Sequence, residues 1–131
     1  RRFALSRDGS RMVYIGADTM SGAQLWIRDL NSLTGRPLPG TSGASAPFFS
    51  PDGQSVGFFT GNPGDLRVVS INGGPSLTVV RDSSVPWGGD WDESGNIYFT
   101  SIIFRVNVIW SAVSRYTYRP LGKDDALNVV T

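Results

Sequence analysis

The sequence holds no cysteine and no histidine. Their absence removes a cysteine nucleophile, any triad built on histidine, every disulfide and the common zinc sites. It does not select a redox compartment, because a cysteine-free chain suits either. Glutamate occurs once, at Glu93, and lysine once, at Lys123, against 16 Gly and 8 Pro. Long helices draw on the residues that are scarce here and avoid those that are abundant. Charge is scarce too, at 18% of residues with a net charge of +1. The arginines are spread without a run, so neither nucleic acid nor an anionic membrane surface is implied as a partner. No apolar run approaches the length of a membrane span. The chain opens on Arg1-Arg2, with neither Met nor the apolar core of a signal peptide, and reads as a piece of a longer polypeptide.

What is present is a repeated turn between apolar strands. The clearest copy is Ala46 to Thr60, APFFSPDGQSVGFFT. Pro51 fixes φ at the first corner of the turn Ser50-Pro51-Asp52-Gly53. Asp52 accepts from the local backbone, and Gly53 takes positive φ without strain. A second copy stands at Ser6-Arg7-Asp8-Gly9, before MVYI, and a third at Asp92-Glu93-Ser94-Gly95, before IYFT. Gly9 to Gly53 is 44 residues and Gly53 to Gly95 is 42. Leu25, Leu66 and Ile109, each in the third strand of its period, are 41 and 43 apart. Within each period further strands fit: Gln24 to Leu30 and Arg36 to Leu38, then Leu66 to Ile71 and Leu77 to Val80, then Phe104 to Ala112 and Tyr116 to Leu121. Asn72-Gly73-Gly74-Pro75 carries a hairpin signal. Four strands per 40–45 residues is the mark of a β-propeller blade. The runs MVYI, VGFF and IYF are apolar at consecutive positions, as in a sheet covered on both faces. The expected fold is all-β, a partial propeller of about three four-stranded antiparallel blades in one domain, 1–131. The blades fall at about 3–41, 45–82 and 87–121, and 122–131 is a tail or the start of another unit.

These residues carry a resemblance. Ser50-Pro51-Asp52-Gly53 followed by VGFF resembles the WD40-like (PD40) repeat of TolB-type propellers. Leu25-Trp26-Ile27 and Gly73-Gly74 stand where that repeat has its third strand and following turn. The run from Arg36 to Phe59 is similar to propeller regions of bacterial eukaryotic-like serine/threonine kinases. Arg7 replaces the usual Pro, the third turn has no Pro, and the likeness fades after Ser101. The resemblance implies a module that works by binding a protein or small ligand in sensing or scaffolding, without catalysis or cofactor, in the periplasm or another extracytoplasmic space. The alternative it implies is a propeller gating a prolyl-oligopeptidase-type serine peptidase whose catalytic domain lies elsewhere.

Three blades cannot close a ring, and bare blade faces expose apolar surface. Either the chain is a fragment of a larger propeller, or a homodimer completes six blades through those faces. Asp90, Asp92 and Ser94 match the front half of a Ca²⁺ loop, but Ser101 stands where its bidentate carboxylate belongs, and the plain reading is a third blade turn. Trp26 and Trp110 are assigned to blade packing. Trp87, Trp91 and Arg7 are the candidate contacts to a ligand or partner. Gly-x-Ser-x-Gly does not occur, and Gly122-Lys123 is followed by Asp124, so neither a nucleophile elbow nor a phosphate loop is present. Asp124-Asp125 reads as a solvated turn, and Gly40-Thr41-Ser42-Gly43 as a connection between blades.

Overall fold

The computed structural model describes residues 2–19, 22–61, 64–81, 85–103, 106–113 and 117–120, with the backbone alone described at 85–87 and from 100 onward. Among these residues there is no helix, hence none long and apolar enough to cross a membrane. The strands are β1 (Phe3–Leu5), β2 (Arg11–Gly16), β3 (Gln24–Asp29), β4 (Arg36–Pro37), β5 (Ala44–Phe49), β6 (Ser55–Gly61), β7 (Gly64–Ser70), β8 (Leu77–Val80), β9 (Val85–Trp91), β10 (Ile97–Ile103), β11 (Val106–Val113) and β12 (Thr117–Pro120). They form three antiparallel meanders in chain order, β1 to β4, β5 to β8 and β9 to β12. These are blades 1, 2 and 3 of a partial β-propeller. The ladders carry the period read from the sequence, since Ile15 pairs with Leu25, Phe59 with Leu66 and Thr100 with Ile109.

Two apolar cores lie between the blades. Ala4, Val13, Leu25 and Ile27 of blade 1 meet Phe49, Val56, Phe58, Val69 and Ile71 of blade 2. The other face of blade 2, with Ala46, Phe48, Phe59, Leu66 and Val80, meets Ile97, Phe99 and Trp91 of blade 3. This is why VGFF is apolar at consecutive positions: Phe58 and Phe59 point to opposite faces, and both are fully buried. Phe48 fits between two backbones that lack side chains. A Cβ on Gly57 would overlap its ring, and one on Gly89 would come within 2.7 Å of it.

The innermost strands of blades 2 and 3 each carry a bulge, marked by register shifts between Ser45 and Phe48 and between Phe99 and Ser101. Ala46 takes φ +50° in the first and Gly88 φ +136° in the second. The connection from blade 1 to blade 2 is latched by Thr41. Its buried hydroxyl donates to the Leu38 carbonyl at 2.6 Å and accepts from the Leu25 N–H at 2.9 Å.

Trp26 departs from the packing role expected of it. It alternates away from buried Leu25 and Ile27, lies half-buried on the outer face of blade 1, and donates its indole N–H to the Ala17 carbonyl at 3.0 Å. No described residue of another blade covers that face, and Trp26 stays partly open. The side chains of Trp87 and Trp110, and residues 121–131 with Asp124-Asp125, lie outside the described residues.

Candidate functional site

The turns of blades 1 and 2 repeat bond for bond. In blade 1 the Ser6 hydroxyl donates to Asp8 Oδ1 at 2.8 Å and accepts from the Arg11 N–H at 3.0 Å. In blade 2 Ser50 does the same with Asp52 at 2.6 Å and with the Ser55 N–H at 3.0 Å. Gly9 and Gly53 donate back to the carbonyls of these serines. In blade 3 the two side-chain types trade places. Asp92 stands at the serine position and Ser94 at the aspartate position, with Gly95 donating to the Asp92 carbonyl. The loop is one residue shorter here, so Asp92 Oδ1 accepts from the Asn96 N–H at 2.8 Å. Its Oδ2 accepts from Asn96 Nδ2 and the Tyr98 hydroxyl.

The electrostatics follow from these bonds. The Ser10 N–H, then the Ser10 and Ser6 hydroxyls, draw Asp8 down from the usual 3.8 to about 2. The Ser50 hydroxyl and then the Gln54 N–H lower Asp52. Burial works against the charge on Asp92, but the donors on Asn96 and Tyr98 outweigh it and the net shift is downward.

Arg7, where the repeat has proline, reaches across from the turn of blade 1 to that of blade 3. Its Nη1 lies 3.1 Å from Glu93 Oε1 and its Nη2 donates to the Trp91 carbonyl at 3.2 Å. Beneath this bridge is a cavity of about 470 Å³ lined by the innermost strands β1, β5 and β9. Its walls are Phe3, Ala4, Leu5, Phe48, Phe49, Gly89 and Trp91, with Arg7 and Asp90 as its polar groups. The Trp91 ring stands edge-on to Phe48 at 6.5 Å, and the same residue lines a second cleft of about 510 Å³ with Val68, Leu77, Val79 and Ile97.

Two of the three contact residues expected from the sequence, Arg7 and Trp91, are thus brought to one cavity. Trp87 shares β9 with Trp91, its side chain outside the described residues. The calcium candidates are placed as turn groups. Asp92 is engaged by Asn96 and Tyr98, Asp90 Oδ1 accepts from the Trp91 N–H at 3.0 Å, and Ser94 sits at the exposed corner. Among the described residues no three Asp or Glu side chains gather as a cation site would require. Sequence reasoning missed Glu93 as the partner of Arg7, and missed Phe3, Leu5, Phe48 and Phe49 as cavity walls. The alternation of the inner strands was the available signal for the walls. Nothing local signals a contact between residues 86 positions apart. The cavity offers an apolar floor and a tethered guanidinium, which suits holding a group and supplies no nucleophile with a base.

No protein-family model and no curated protein matches the chain. Solved structures do. A TolB of Acinetobacter baumannii is similar over 92% of this chain and 31% of its own, with TM-score 0.75 and 21% identity. A protein described as a TolB of Agrobacterium tumefaciens is similar over 91% of this chain and 47% of its own, with TM-score 0.73 and 17% identity. The β-propeller domain of the Trilobed protease of Pyrococcus furiosus is similar over 94% of this chain and 42% of its own, with TM-score 0.65 and 15% identity. The chain therefore spans under half the length of each. At such identities the likeness is one of fold, and by fold this chain is a partial β-propeller of three four-stranded blades, similar to those of the TolB structures.

Proposed function

We propose that the chain is a non-catalytic binding module of a propeller, taking an apolar or aromatic group of a protein partner or small ligand at the axial cavity. The supporting observation is that β1, β5 and β9, one strand from each blade, wall a single pocket with Trp91 at its side and Arg7 across its rim. Aromatic side chains give large contact area at little entropic cost, and a guanidinium orients a polar end. The role fits sensing or scaffolding outside the cytoplasm. The test uses N-acetyltryptophanamide as probe, followed by backbone amide shifts in NMR. Binding at millimolar concentration should move Gly89, Asp90 and Trp91 together, and Trp91→Ala should abolish the shifts while the far-UV spectrum stays unchanged. Shifts scattered over the outer strands, or none, would remove the cavity from consideration.

A second reading is favoured by the likeness to the propeller domain of a protease. In it the same blades gate a serine peptidase. With no histidine in this chain, the catalytic base belongs to another domain. A parent gene encoding Gly-x-Ser-x-Gly downstream would support that reading, and one encoding a kinase domain upstream would support the first.

A further inference from the structure

The two junctions between blades can be compared position by position. In blade 1, Arg11 pairs with Asp29 and Ile27 with Arg36 across the ladders of β2, β3 and β4. In blade 2 the same places hold Ser55 opposite Ser70 and Val68 opposite Leu77. The blade 1 set fills its junction with charged side chains. Arg11 Nε donates to Asp29 Oδ1 at 3.1 Å, and its Nη1 reaches the Gly53 carbonyl in the turn of blade 2 at 3.5 Å. Arg36 Nη2 donates to the Ile71 carbonyl of blade 2 at 2.8 Å. Ile27 is 3% exposed, and the space left beside Ile27, Asp29 and Arg36 is about 220 Å³.

The blade 2 set lacks that reach. Ser55, in the place of Arg11, is too short to span to Gly95, the counterpart of Gly53 in the turn of blade 3. Leu77, in the place of Arg36, carries no donor. Ser55, Ser70, Val68, Leu77 and Gly95 instead line the cleft of about 510 Å³ between blades 2 and 3. Val68 is half-buried there, whereas Ile27 is covered. The walls decide the occupant. Val68, Leu77, Val79, Ile97 and Trp91 make the cleft apolar, and the Ser55 and Ser70 hydroxyls supply its polar side chains. No charged side chain among the described residues lines it, so a charge entering would lose its hydration without gaining a counter-ion. The volume lies within the range of about 300–1,000 Å³ usual for small-molecule sites. The Trp91 ring offers a surface to another ring.

We propose that the cleft between blades 2 and 3 binds an uncharged aromatic small molecule of bicyclic size, with a hydroxyl of the ligand set against Ser55 and Ser70. Among the described residues this site shares only Trp91 with the axial cavity and stands independently of it. The test uses 2-naphthol as probe and 2-naphthoate as its charged analogue, followed by backbone amide shifts in NMR. Titration with 2-naphthol should move Ser70, Gly73 and Gly95 together and saturably. The carboxylate of 2-naphthoate should weaken binding by at least about tenfold. Leu77→Arg, at a site 40% exposed, puts back the residue type of blade 1 and should also weaken 2-naphthol by at least about tenfold, with an unchanged far-UV spectrum. Should that variant unfold, Ser55→Arg, the counterpart of Arg11, should give the same loss. Leu33→Arg, on the exposed β3 to β4 turn, should leave binding unchanged. Absence of saturable shifts, shifts confined to Ala4 and Gly89 at the axial cavity, equal affinity for 2-naphthoate, or binding indifferent to both arginine substitutions in the cleft would each overturn the proposal.

Discussion

Gly89→Ala should be far more damaging than one methyl on an inner strand suggests. The new Cβ would lie 2.7 Å from Phe48 Cε1, 2.8 Å from Cζ and 3.2 Å from Cδ1. The ring has no room to retreat. Gly57 lies against its other side, Phe59 stands 6.3 Å away centroid to centroid, and Trp91 6.5 Å. Overpacking of a filled site costs about 1–3 kcal/mol. For a chain of this size that lowers Tm by about 4–11 °C. The assay is thermal and urea unfolding followed by far-UV circular dichroism. A double-mutant cycle isolates the cause. Phe48→Leu shortens the ring's reach, so in its background Gly89→Ala should lose at least about 1 kcal/mol of its cost. An unchanged Tm for Gly89→Ala, or a cost that Phe48→Leu leaves untouched, would refute the idea that this ring sets the distance between blades 2 and 3.

Acid should loosen the blade turns. Asp8, Asp52 and Asp92 have folded pKa values below the ordinary carboxylate value, so their stabilisation is present above about pH 4 and drains away as pH falls below it, toward about 2 for Asp8. Asp8→Asn should therefore show a shallower decline of Tm between pH 5 and pH 2 than the native chain, and identical slopes would speak against the bonds described. Arg7→Ala should alter stability by less than about 1 kcal/mol, because the ion pair is exposed, with side chains 51% and 83% accessible. A larger loss in urea unfolding would mean that the bridge between blades 1 and 3 holds the ring together.

The legible part of this fold was its punctuation. Proline, aspartate and glycine at Ser50 to Gly53 fix one turn, and two weaker copies at the same spacing fix the period; the ladders then follow from alternation. Trp26 shows where the pattern misleads. Its sequence context matches that of a packed residue, but burial depends on a neighbouring blade, which the described chain does not supply on that side. Arg7 and Glu93 show another limit. Their meeting depends on how the blades fan around the axis, which no local spacing encodes. Bulges were equally hidden. Gly88 hints at one through its freedom at positive φ, but Ala46 adopts such a backbone without any residue-type signal.

The exchange of serine and aspartate between the first two corners and the third has a consequence for how such leaves diverge. At this corner two different side chains deliver the oxygen that receives one amide, with the loop length differing by one residue. A pattern of letters therefore fits the third corner poorly although its oxygen still receives the amide. Anyone extending the array with a fourth unit has two interchangeable corner cassettes to draw on, a six-residue one and a five-residue one, each already proven beside the other in a single polypeptide.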